Sequence, residues 1–363
     1  KIQTTNNQVV PNLGRRNLVI NGAMQVAQRG TSTTGITGSV NFICDRWGLQ
    51  VSSLGTHTIT QETLTSGNAY NDGFTKAFRV DCTTAKASPT ANDHIFFQQK
   101  IEAQNLQHLA YGTSGAKSLT LSFWVKSNKT GTYEIMHYVS DSGRQVNSTY
   151  TISSANTWEK KVLSIPADTG GSGINNDNGE GFRSIFYLAV GSTRQSGSTP
   201  SSWSAYAVGN EAPSQTVNIG DSTANDWAIT GYQLEVGSSA TDFEHRQFGE
   251  ELLLCKRYYT QIAGGSDAFA FPGKGQGSTS VDGTFPLAVP LRAQPTMNSI
   301  ASRFFTDGGF SSTTATPTAN QFVANNDVLA INIGSYSGGA SFTNNESGVW
   351  GVQSTTLTID AEL

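Results

Sequence analysis

Charge is scarce in this sequence: Asp, Glu, Lys and Arg make up 14% of 363 residues, and their balance is −4. Lys and Arg stand singly, with Arg15-Arg16 and Lys160-Lys161 the main pairs. A sequence-independent binder of DNA or RNA needs a basic stripe that displaces counterions, so no nucleic-acid partner is expected. Long apolar runs are also missing. No stretch of 18 apolar residues occurs and no charged-then-apolar segment opens the chain, so no membrane insertion is expected. The first residue is Lys1 rather than Met, as expected for a piece of a longer protein. Cysteine is limited to Cys44, Cys82 and Cys255, far apart and odd in number. With no CxxC and no Cys/His cluster at ligand spacing, neither a disulfide framework nor a metal site is expected. The three read as buried free thiols made in a reducing cytoplasm.

Gly, Ser, Thr and Asn are abundant, and the usual helix formers are thin. That mixture suits short strands joined by tight turns, and the fold class expected is all-β. Residues 1–16 are polar and unpatterned and read as an N-terminal arm. Asn17–Met24 reads as a strand opening a domain. From Phe42 onward strand-like runs recur at Trp47–Ser52, Thr56–Glu62, Lys76–Cys82 and Ile95–Ile101. Glu102–Tyr111 reads as a brief helix or 3₁₀ turn. The clearest strand is Ser118–Lys126, where Leu119, Leu121, Phe123 and Val125 alternate with Thr120, Ser122, Trp124 and Lys126. Thr132–Ser140 follows a turn cluster at Asn128–Gly131, and the two are expected to form a hairpin. Further strands are expected at Asn147–Ile152, Trp158–Ile165, Ser184–Val190 and Asp226–Val236. About ten strands with long loops predict a jelly-roll β-sandwich over residues 17–247. Gly249–Gln261 has acids early and bases late, as a helix dipole prefers, and predicts a helical linker at 248–262. Residues 263–363 read as a smaller C-terminal β domain.

Several phrases resemble known proteins. Asn17-Leu18-Val19-Ile20-Asn21-Gly22-Ala23-Met24, then Gln28-Arg29-Gly30 and Asp45-Arg46-Trp47, resemble the opening of phage tail-fibre-like and virion surface structural proteins. Gly231–Gly237, Ala240–Glu244 and Gly249–Tyr259 are similar to the way their domains end. The segments Leu119–Lys126, Thr157-Trp158-Glu159 and Trp227–Glu235 resemble jelly-roll carbohydrate-binding modules. The resemblance implies a fibre, spike or head-decoration protein on a virion surface, made in the host cytoplasm. Its partners would be other virion proteins and host surface polysaccharide, and it would assemble as a homo-oligomer, a trimer. Many such modules hold a structural calcium through acids on the closing strand. Here Ile229-Thr230-Gly231-Tyr232-Gln233 has none at its centre, so no cofactor is expected.

Catalysis finds no motif. A glycosidase needs two carboxylates across a cleft, and Glu134, Asp141, Glu159, Asp177, Glu180 and Glu235 form no recognisable pair. The five histidines stand alone, without HExxH or GxSxG. No catalytic residue is assigned and no enzyme is expected, with a polysaccharide depolymerase the rival reading. Sugar binding asks for an aromatic platform and a few polar groups. Trp124 and Tyr138, opposite the core faces of the expected hairpin, are candidates to line one exposed sheet, flanked by Glu134 and Lys126. If another sheet or subunit covers that face, Trp124 becomes core. Trp203 and Tyr206, in the loop 191–213, are a second candidate, with a plug over the core as the alternative. Without sugar binding, the chain would be purely architectural: a head decoration, collar or tail component.

Overall fold

The fold comes from a computed structural model that describes residues 15–263, 269–276, 279–306, 309–315, 318–321, 328–334, 345, 347–353 and 355–363. Nearly all of the expected arm, residues 1–14, lies outside the described residues. The chain divides into two compact units, one ending at Phe248 and one spanning Gly249–Glu362.

The first unit is an antiparallel two-sheet jelly-roll sandwich. Its strands are β1 (Ser32–Ile36), β2 (Val40–Phe42), β3 (Gly48–Ser52), β4 (Thr56–Thr63), β5 (Lys76–Thr84), β6 (His94–Glu102) and β7 (Leu119–Ser127). They continue as β8 (Gly131–Val139), β9 (Arg144–Ile152), β10 (Glu159–Ile165), β11 (Glu180–Val190), β12 (Ser204–Ala205) and β13 (Asp226–Val236). A single helical turn, α1 (Asn68–Asn71), interrupts the path from β4 to β5. One sheet has six strands in the order β1-β4-β5-β13-β7-β10. The other has seven, β12-β9-β8-β11-β6-β3-β2.

Strand alternation builds the core between them. Leu119, Leu121, Phe123 and Val125 of β7 are wholly buried, facing Tyr133, Ile135 and Val139 of β8 and Phe182 and Phe186 of β11. Trp47 stacks on Phe97 at 5.0 Å, and Trp227 lies 5.3 Å from Phe97 and 6.3 Å from Phe186. Each such side chain contributes roughly 1.5–3 kcal/mol on burial. This one aromatic cluster therefore holds the sheets together without disulfides; the cysteines are free and buried.

Two expectations are corrected. Strands β7 and β8 are not a hairpin: β7 pairs with β13 and β10, whereas β8 pairs with β9 and β11. The turn at Asn128–Thr130 arches from one sheet to the other. It is fixed by Lys129 N donating to Ser127 Oγ (3.0 Å), Tyr133 Oη to Lys129 O (2.9 Å), and a Lys129–Asp221 ion pair. A hairpin and an arch leave the same period-2 pattern, which says which side chains face the core but not from which sheet. Asn17–Met24 is likewise not a strand. Asn21 and Met24 take positive φ (59° and 56°), and Ile20 N bonds the Gln99 side chain rather than a neighbouring strand.

The 3₁₀ segment Ala103–Leu109 falls where the short helix was expected. In α2 (Phe248–Lys256), Glu250 and Glu251 occupy the first turn and Lys256 the last. The second unit carries strands from Tyr259–Ala263 to Thr356–Asp360, in a three-stranded and a seven-stranded sheet. Its core centres on buried Trp350 with Phe304, Ile331, Val352 and Ile359. Gly283 is required there, because a Cβ at that position would sit 2.2 Å from Trp350 Nε1.

Candidate functional site

The arch separates the expected platform. Trp124 lies on the outer face of the six-stranded sheet and Tyr138 on the outer face of the seven-stranded sheet. Lys126 stays with Trp124, bonded to Glu62 at 3.3 Å, and does not flank Tyr138.

The seven-stranded face gathers the larger set of polar and aromatic groups. Register aligns Gln145 of β9 with Tyr138 of β8, Tyr138 with Arg183 of β11, and Arg183 with Lys100 of β6. Strands stand about 4.8 Å apart, so this row extends about 14 Å across the sheet. The Arg183 guanidinium lies over the Tyr138 ring, 5.1 Å from its centroid, a cation–π contact. Glu180 ties down the far end: Arg183 Nε is 3.1 Å and Lys100 Nζ 3.2 Å from its carboxylate, which also accepts from Ser140 Oγ at 2.6 Å. Beside the row, on the same face and one to two pleats further along the strands, lies an apolar patch of Phe96, Met136, Ile185 and Tyr187.

The loop after β11 straps one side of this face. Glu211, itself buried, accepts from Tyr187 Oη (2.6 Å), Tyr206 Oη (2.5 Å) and Arg194 Nη1 (2.6 Å). Asn210 O accepts from Gln145 and Asn147, and Ala207 N donates to Gln145 Oε1. These bonds hold Tyr206, 43% exposed, 5.5 Å from Tyr138 with the rings edge-on. Desolvation first, then the bond to Glu211, push the Tyr206 hydroxyl up to about 12, so it stays protonated as the donor in that bond.

The other candidates fall elsewhere. Glu134 is wholly buried; its oxygens accept from Asn147 Nδ2 (2.8 Å) and Ser214 N (2.5 Å), and burial raises its pKa. It anchors the strap and is out of a ligand's reach. Trp203 is a plug: it packs edge-on to Tyr111 (5.7 Å) and Phe182 (6.4 Å) and donates to Pro166 O at 2.7 Å. Arg144, paired with buried Asp168, holds the Trp203 carbonyl from the other side. Tyr138 and Tyr206 are thus brought together, Glu134 lies on the same face of β8 but under the strap, and Trp124 and Trp203 are apart. The sequence reading passed over Arg183, Lys100 and Glu211. A signal was available in β11, where Ile185 and Tyr187 make the non-core positions apolar too, the mark of an outer face that is itself partly covered.

The residues do not fit the calcium that the carbohydrate-module resemblance implies. Among the described residues no group of three or more His, Cys, Asp or Glu is placed to hold a metal ion. Glu235 on the closing strand accepts from Gln233 Nε2, Thr241 N and Thr241 Oγ1. Glu244 accepts from Arg16 N, Asn17 N and Arg246 Nη2. These donors bring hydrogen where a cation needs bare oxygen, and they clasp the start of the unit to its end directly.

No family model and no curated protein matches the sequence. Among solved structures, the enzymatically active domain of bacteriophage CBA120 tailspike protein 4 is similar over 61% of this chain, at 16% identity and a TM-score of 0.30. The match covers 21% of that chain, about a fifth of its length. The N-terminal modules of endo-1,4-β-D-xylanase 10B from Clostridium thermocellum, complexed with xylohexaose, match over 60% of this chain and 30% of theirs (13% identity, TM-score 0.28). A family 11 carbohydrate-binding module from Clostridium thermocellum, in complex with a β-1,3-1,4-mixed-linked tetrasaccharide, matches over 60% and 99% (10% identity, TM-score 0.27). At these scores the likenesses carry no argument about what this chain does, which has to rest on the site itself.

Proposed function

We propose that the first unit binds glycan on the outer face of its seven-stranded sheet, without cleaving it. The observation that carries the reading is the row Tyr138–Arg183–Lys100 beside the strap-held Tyr206. Aromatic rings offer a surface to the C–H faces of a pyranose, while the guanidinium, the ammonium and Glu180 supply donors and acceptors for its hydroxyls. The backbone and strap already hold these groups in place, which lowers the ordering cost of binding. Hydrolysis has no support from Glu134: its oxygens are bonded and shielded from solvent, so it is not poised to protonate a glycosidic oxygen.

The residue phrases that resemble phage fibre-like proteins support a virion surface as the setting, where the chain would attach a particle to host polysaccharide as a homo-oligomer, a trimer by analogy. The test is a printed glycan array and host polysaccharides probed with purified protein and with Tyr138→Ala and Arg183→Ala. Specific binding lost in either variant, with the fold kept, supports an adhesin. A folded protein that binds no glycan but binds virion partners makes it an architectural component. Release of reducing ends from a bound polysaccharide makes it a depolymerase.

A further inference from the structure

The site above leaves Trp124 unused, although its surroundings on the opposite face are similarly equipped. Its Nε1–H donates to Asp72 Oδ2 at 2.9 Å. Lys160, its register partner on β10, puts Nζ 5.9 Å from the ring centroid and 3.4 Å from the same Asp72 oxygen. Asp72 and Lys160 are both about two-fifths exposed, so a carboxylate acceptor at the indole N–H and an ammonium donor over the ring stand side by side. Tyr70 of α1 (42% exposed), two residues before Asp72, and Val162 of β10 (53%), two residues after Lys160, are also exposed. Underneath, Trp124 packs on a small apolar cluster of Leu64, Ala69, Phe74 and buried Trp158, over which Lys126 lies at 5.1 Å.

We propose that the first unit is bivalent, with a second glycan site on the outer face of the six-stranded sheet formed by Trp124, Asp72 and Lys160. The chemistry is that of a polyol: the indole takes the C–H face of a sugar ring, and the adjacent acceptor and donor take neighbouring hydroxyls. A stable protein interface takes roughly 20–30 residues a side, and the three residues of this cluster match a sugar better. Packed sheets lie about 10 Å apart, so one short ligand cannot touch Trp124 and Tyr138 together. The two sites therefore engage separate glycan segments, and a dense host surface gains avidity from both. This shares with the preceding reading only the premise that the unit recognises sugars.

The experiment titrates the full chain by calorimetry with the soluble form of whichever array oligosaccharide the wild type binds most tightly. Two sites per chain are expected, with one remaining in Trp124→Ala, in Asp72→Ala/Lys160→Ala, whose side chains are exposed, and in Tyr138→Ala. Affinity at the altered site should fall at least tenfold. One site in the wild type, or an unchanged count in both six-stranded-sheet variants, overturns the inference and leaves the Tyr138 site standing. A site lost in Trp124→Ala but none lost in Tyr138→Ala supports this inference and sinks the other. A wild type that binds no oligosaccharide overturns both.

Discussion

Burial of two histidines makes the first unit sensitive to mild acid, and the size of the effect follows from their surroundings. His57, on β4, is wholly buried, and neither ring nitrogen has a partner among the described residues. Desolvation alone lowers it from 6.5 to about 4. His137, on β8, is also wholly buried, between Ser184 Oγ (2.9 Å) and Ser148 Oγ (3.2 Å), and burial lowers it to about 3. Both are neutral in the fold and charged in the unfolded chain below pH 6.5, so the unfolded state binds more protons as pH falls and stability declines. One pKa unit corresponds to about 1.4 kcal/mol. Between pH 6.5 and 4, each histidine therefore removes about 3 kcal/mol. Asp45 and Glu134, raised by burial, act in the opposite direction as they take up protons. Desolvation raises Asp93, Glu159 and Glu244, but hydrogen bonds and neighbouring cations lower them further, so their contribution begins to be lost as pH falls through the ordinary carboxylate values and is lost in full below them. The assay is urea unfolding followed by tryptophan fluorescence, which reads mainly the first unit because five of the six tryptophans precede Phe248. His57→Leu should be neutral or stabilising at pH 7, since it removes buried unpaired polar atoms. It should lose about 3 kcal/mol less than wild type between pH 6.5 and 4. Equal losses in both proteins would refute the reasoning.

Further outcomes follow from the strap, the plug and the clasp. Glu211→Ala frees Tyr187, Tyr206 and Arg194 together and should cost about 3 kcal/mol, as expected for breaking a buried charged hub; urea unfolding measures it, and glycan affinity should fall as Tyr206 loses its anchor. Trp203→Ala opens a gap beside Tyr111 and Phe182 and should cost about 3 kcal/mol, while calorimetric glycan affinity stays within twofold of wild type. Excess EDTA should leave the thermal midpoint unchanged, because Glu235 and Glu244 are bonded to N–H and O–H donors; a drop of several degrees would mean a metal holds the unit.

Composition and alternation made the all-β class, the core face of β7 and the helix near residue 250 legible. What the sequence left open was pairing. Trp124 and Tyr138 have the same relation to their strands' core faces, and only the arch at Asn128–Thr130, fixed by Tyr133 just after it and by Asp221 some ninety residues on, separates them. Strap contacts were hidden for a similar reason: Glu211 meets Tyr187 and Arg194 through the fold, not at any local spacing. Asn17–Met24 looked like a strand because it is apolar, but its bonds run to the side chain of Gln99 and to the closing strand at Leu234. The opening phrase is thus a buried irregular segment closed by Arg246, which donates to Val19 O and Asn17 O.

The most direct test of the glycan site is amide hydrogen exchange on the full chain, with and without a saturating oligosaccharide chosen from the array. Protection centred on Tyr138, Arg183 and Lys100, together with the strap around Tyr206, is the predicted result. Binding that protects other segments and leaves these strands unchanged would contradict the account.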